Sequence, residues 1–116
     1  MAQLSAPKVV VMLESSGTDE LTEYTVQTDN RDAIQWDVTR PRRSWPAFNE
    51  APMLYMTFLA WHAMHRTGAT KLSLDEFMKD AVEVKVLSAA GKAIDPTEAV
   101  AEDVLVDPTQ PVAAIA

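Results

Sequence analysis

The sequence predicts a small α+β domain, and three observations carry that expectation. Two β-branched segments, Lys8–Glu14 and Leu21–Thr28, flank a turn-forming stretch. The strongly apolar run Pro52–Gly68 opens on proline and closes on glycine, the usual asymmetry of a helix. Ser73–Glu76 spells a capping box ahead of another apolar helical face. With 116 residues the chain can build one modest core. The expected organisation is one α+β domain over residues 1–87, an N-terminal β-hairpin followed by three short helices, and a flexible acidic tail over residues 88–116.

In chain order, KVVVMLE (Lys8–Glu14) and LTEYTVQT (Leu21–Thr28) alternate in the strand period, with Tyr24 and Val26 on one face. SSGTDE (Ser15–Glu20) between them has turn chemistry, so the pair reads as a hairpin. Asp29 or Asn30 can cap the first helix by accepting a backbone N–H. In that helix Ile34 and Val38 share a face and Trp36 flanks it. Pro41 should end it, because proline lacks the N–H that would continue the ladder. SWPAFNEA (Ser44–Ala51) is an aromatic loop, from which Asn49 is expected to cap the second helix. Gly68 suits a left-handed helix end, preceded by His65 and Arg66 at the negative pole. After the Ser73 cap, Leu74, Phe77, Met78 and Ala81 continue one helical face. Val82, Val84 and Val86 then alternate with Glu83 and Lys85; the helix is expected to end near Glu83 and give way to extended chain, with a third strand as the alternative. From Ser88 onward prolines, small residues and acids leave little to bury.

Composition narrows the function classes. The formal net charge is -7, and residues 91–116 carry one basic and five acidic side chains. Such a chain repels phosphate backbones, so nucleic acid is not an expected partner. The absence of cysteine removes thiolate chemistry and disulfides. The N-terminal residues do not read as a signal peptide. His62, His65 and Arg66 interrupt the apolar run before it reaches the ~20 residues of a membrane span, so no membrane association is expected.

Catalytic and metal signals are weak. His62 and His65 are spaced i, i+3 on one helix, but zinc or iron needs further ligands, and only Glu50 and Asp75 in loops are at hand. The pair reads as surface histidines. No nucleophile elbow and no glycine-rich phosphate loop is present, so the chain reads as non-enzymatic, without cofactor or metal. Arg40, Arg42 and Arg43 sit at a predicted helix end, where cations offset the helix dipole.

The Pro52–Gly68 helix is the most informative stretch. On a helical wheel Tyr55, His62 and Arg66 form a narrow polar stripe, and apolar residues cover roughly two-thirds of the circumference. So wide an arc must meet neighbours on two or more sides. One reading makes it the central core helix. The other leaves part of the arc, Met53, Met56, Phe58, Leu59, Trp61 and Met64, open as one wall of an adaptable, methionine-rich docking groove. The two readings coexist if one face is core and another is groove. Trp36 and Trp45 serve as core supports or as binding anchors.

TDNRDAIQWDVTR, then SWPAF, then MTFLAWHAMHRTG, then LSLDEFMKDAVEV resemble the small tail assembly chaperones of long-tailed actinobacterial phages, over about Thr28–Val86. The resemblance implies a protein of the infected host's cytoplasm. It would coat the helical tape measure protein and keep it soluble until the tail tube forms, self-associating or associating with a longer frameshifted form. Two alternatives from other classes stand beside it: a structural virion component such as a head–tail connector or tail accessory subunit, and a small regulatory protein-binding domain.

Overall fold

The computed structural model describes residues 6–15, 18–88 and 90–101, apart from the side chains of residues 100 and 101. Part of the predicted turn, at residues 16–17, and most of the predicted tail, residues 102–116, lie outside the described residues. The elements run β1 (Lys8–Glu14), β2 (Leu21–Gln27), α1 (Asn30–Arg42), α2 (Pro52–Thr67), α3 (Leu74–Asp80), β3 (Ala81–Leu87), β4 (Ala93–Ile94) and α4 (Pro96–Ala101). The α+β class predicted from the sequence is the class observed.

The sheet has the order β2-β1-β3-β4 and is antiparallel throughout. Its alternation matches the strand period: Val9, Val11 and Leu13 turn to the core, and Val84, Val86 and Ile94 join them from the neighbouring strands. The register shifts between Met12 and Leu13, where Met12 pairs with Glu83 and Leu13 with Ala81. Val82 is the extra residue of this bulge. It has the parity of Val84 and Val86 yet lies half exposed.

The helices cover one face of the sheet, and α2 lies at their centre, in contact with α1, α3, α4 and the sheet. That placement explains its apolar composition. Met56, Phe58, Leu59, Ala60, Ala63 and Met64 are all buried. At its end Gly68 takes φ +83°, and the N–H groups of Gly68 and Ala69 close back on the carbonyls of His65 and Met64. Its start differs from the expectation. Ala51, not Asn49, is the N-cap, and no side chain bonds there. Pro52 follows directly, and its missing N–H already removes one of the donors a cap would satisfy.

Helix α1 opens on Asp29, which accepts from the Arg31 N–H, and the Asp32 carboxylate reaches back to the Asp29 N–H at 2.8 Å. The helix runs through Pro41 to Arg42. Ser44, at φ 57°, then turns the chain so that the Ser44 and Trp45 amides bond the Pro41 and Arg40 carbonyls. This reversal lays Trp45 against Trp36, with ring centroids 5.6 Å apart. Helix α3 starts at the reciprocal Ser73–Glu76 capping box, as predicted.

Two segments depart from the sequence reading. Helix α3 stops at Asp80, and Ala81–Leu87 forms a full strand along the second edge of β1. Residues 93–101 also take part in the fold, where a flexible tail is predicted: β4 pairs with β3, and Ile94, Pro96 and Ala99 are buried. Small side chains are what allow so short a helix to seat closely against α2 and β3.

Candidate functional site

Of the six side chains expected to line a docking wall, Met56, Phe58, Leu59 and Met64 are buried in the chain's own core. The structure uses these four as core and not as an open docking wall; of them, Met64 alone also borders the shallow groove beside the edge strand. Met53 is 47 % exposed, and Trp61 is partly buried, donating its indole N–H to the Leu72 carbonyl at 2.9 Å. The open stripe of α2 therefore runs Met53–Thr57–Trp61–His65 at i, i+4 spacing. Trp36 is a buried core residue, and Trp45 is a partly buried support. Trp36 meets Tyr55 and Phe58 edge-on at 5.0 and 5.7 Å, and the Arg43 guanidinium lies 5.3 Å from the Trp45 ring.

The polar stripe of α2 is not a solvated face. It is the seam with α1. Tyr55 is buried against Trp36, and His62 and Arg66 converge on Asp32, which is fully buried. Asp32 Oδ1 lies 2.6 Å from His62 Nδ1 and 3.3 Å from Arg66 Nε. Its Oδ2 accepts from Arg66 Nη2 at 3.1 Å and from the Asp29 amide at 2.8 Å. An ionised carboxylate only accepts, so it holds the proton of His62 on Nδ1. Among the described residues no buried side-chain polar atom is left without a partner. The cluster fastens the start of α1 to the last turns of α2. Periodicity on either helix alone does not reveal it, because the partners lie on different helices.

Asp29 stands beside this cluster. Its hydrogen bond from the Arg31 side chain, above all, holds its carboxyl at about 2, below the ordinary 3.8; burial opposes this, and the Arg31 N–H and the nearby Arg66 and Arg31 charges add to the lowering. Because the folded-state value is depressed, this contribution to stability is present above the unfolded value. It is lost as pH falls from about 4 through about 2. Asp29→Asn keeps an acceptor at the N-cap but cannot titrate. Chemical denaturation of both proteins across that window should show a steeper acid loss for the wild type.

The outward side of α1 carries the opposite pattern from the one expected of an amphipathic helix. Asp32 and Trp36 point inward, while Ile34 and Val38 are 52 % and 39 % exposed at i, i+4 spacing. A separate shallow groove runs between the edge strand and α2, lined by Val26, Gln27, Ala63, Met64, Thr67 and Ala69 among others. The His62–His65 pair gains no ligands: no group of three or more metal-ligating side chains occurs among the described residues. No helix among them is long and apolar enough to cross a membrane.

No family model, no curated protein and no solved structure matches this chain.

Proposed function

We propose that this chain is a non-enzymatic protein-binding domain that acts as a phage tail assembly chaperone in the host cytoplasm, holding the helical tape measure protein in solution. The likeness of residues 28–86 to such chaperones supports the role. The single structural observation that carries it is the outward apolar pair Ile34 and Val38 on α1. Core formation does not use this pair, because Asp32 and Trp36 occupy the inward side. Two aliphatic side chains one turn apart match the ridge that an amphipathic client helix packs against. Met53 on α2 adds a flexible apolar contact on the helical layer.

The test is co-expression with the tape measure protein of the same phage, followed by pull-down and measurement of the soluble fraction. The expected result is a soluble complex. Ile34→Asp with Val38→Asp should abolish capture while shifting stability by less than about 1 kcal/mol, since exposed substitutions away from special features are nearly neutral. Capture unchanged by this pair would move the binding surface elsewhere. Absence of any complex, together with recovery of the chain from purified virions, would replace the chaperone reading with that of a structural component.

A further inference from the structure

Among the described residues, one edge of the sheet carries no partner strand. Strand β2 is terminal in the order, and its seven residues LTEYTVQ carry a single charge, Glu23, with no lysine, no proline and no bulge. These are the devices that ordinarily keep an edge strand from pairing. The opposite edge is different: β4 has only two residues.

The hydrogen-bond phase of β2 follows from the bonds at its two ends. The register pairs Lys8 with Gln27 and Glu14 with Leu21. Thr28 N–H bonds the Pro7 carbonyl, and Ser15 N–H bonds the Glu20 carbonyl, one step beyond each end of that register. Antiparallel pairing alternates, so the even-numbered residues of β2 bond β1. Leu21, Glu23, Thr25 and Gln27 therefore aim their backbone groups at the free edge.

We infer that β2 pairs antiparallel with β2 of a second copy, in a register centred on Tyr24, to give a continuous eight-stranded sheet. In this register Leu21 meets the second copy's Gln27 and Glu23 meets its Thr25, each an odd-numbered pair with its backbone groups already facing outward. Tyr24 meets Tyr24 at the two-fold axis, and Thr22 meets Val26 on the helix-covered face. No like charges stand directly opposite each other. Centring the pairing on Glu23 would oppose two carboxylates, so charge selects against that register. The groove beside β2 is lined opposite the strand by the small side chains Ala63, Thr67 and Ala69, which leave room for a core-facing side chain of the second copy. The contact is isologous and closes as a dimer. It is independent of the proposed function.

Light scattering coupled to size exclusion, on the full chain over a range of concentrations, tests the association. The expected mass doubles from 12.8 kDa. Thr25→Pro removes an outward N–H and leaves the β1 ladder intact, so it should return the protein to a monomer with an unchanged circular dichroism spectrum. The register has its own readout, because the chain has no cysteine. Directly opposed, non-hydrogen-bonded residues lie within disulfide reach. Oxidised Tyr24→Cys should cross-link to itself, whereas Thr22→Cys should cross-link only when mixed with Val26→Cys. A monomer at every concentration overturns the inference. So does a folded Thr25→Pro dimer, or a wild-type monomer whose Thr25 amide is protected from exchange, which would place a segment of the same chain along the edge.

Discussion

Asp32→Ala should lower unfolding stability by about 3 kcal/mol, a midpoint shift on the order of 10–20 °C for a domain of this size. The reasoning starts from the buried carboxylate. Asp32 is fully buried, and its removal leaves the Arg66 guanidinium and the His62 Nδ1–H without their common acceptor. It also deprives the Asp29 amide of its capping partner. Breaking a buried pair by deleting one member costs roughly 3–5 kcal/mol. The lower end applies because the His62 and Arg66 side chains are 21 % and 20 % exposed, so water recovers part of their solvation. Asp32→Asn retains one acceptor and should fall between wild type and alanine. Urea denaturation measures all three. A loss below about 1 kcal/mol for alanine would mean that the cluster contributes no more than a surface ion pair.

Met56→Asp should prevent folding altogether. Met56 is fully buried in the α2 core, where a carboxylate has neither water nor a cation to meet. Lost apolar contact and the burial of an unpaired charge together exceed about 5 kcal/mol, which rivals the whole stability of a small domain. Leu59→Asp should behave the same way, with Leu59 at 2 % exposure. Met53→Asp, three residues before Met56 on the same helix but 47 % exposed, should change stability by less than about 0.5 kcal/mol. Circular dichroism and soluble yield separate the outcomes. A folded Met56→Asp protein would require the α2 face to open, and would restore the docking wall expected from its methionines.

Local chemistry made much of the fold legible. Alternation and a turn located β1 and β2, Gly68 marked the end of α2, and Ser73 with Glu76 marked the start of α3. The strand of Val84 and Val86 was ambiguous because its pattern is short, and what settles it is the second edge of β1, which needs a partner. The candidate surface was much less legible. On α1 the sequence pattern groups Ile34 and Val38 on one face with Trp36 on its flank, and nothing in it marks Asp32 as the residue that turns to the core. The carboxylate turns inward because His62 and Arg66 wait there, 30 and 34 residues further along the chain. Residues 93–101 escaped notice because Ile94, Pro96 and Ala99 become valuable only once α2 and β3 supply a surface for them to seat against.

The position of β1 has a consequence for how the protein is made. This strand leaves the ribosome before the other strands of its sheet, yet it is central in the strand order, and Val9 must find Val86 across almost the whole domain. The β1–β2 hairpin pairs locally and early. The other side of β1 then stays bare until three helices and β3 have been synthesised, an interval of several seconds at roughly 5–20 residues per second. During that interval Val9, Val11 and Leu13 have no lasting cover, and the nascent chain is most open to mispairing with its neighbours on a polysome. Slowing translation after α1 should therefore lower the soluble yield, and fusion to a domain that shields the N-terminus should raise it.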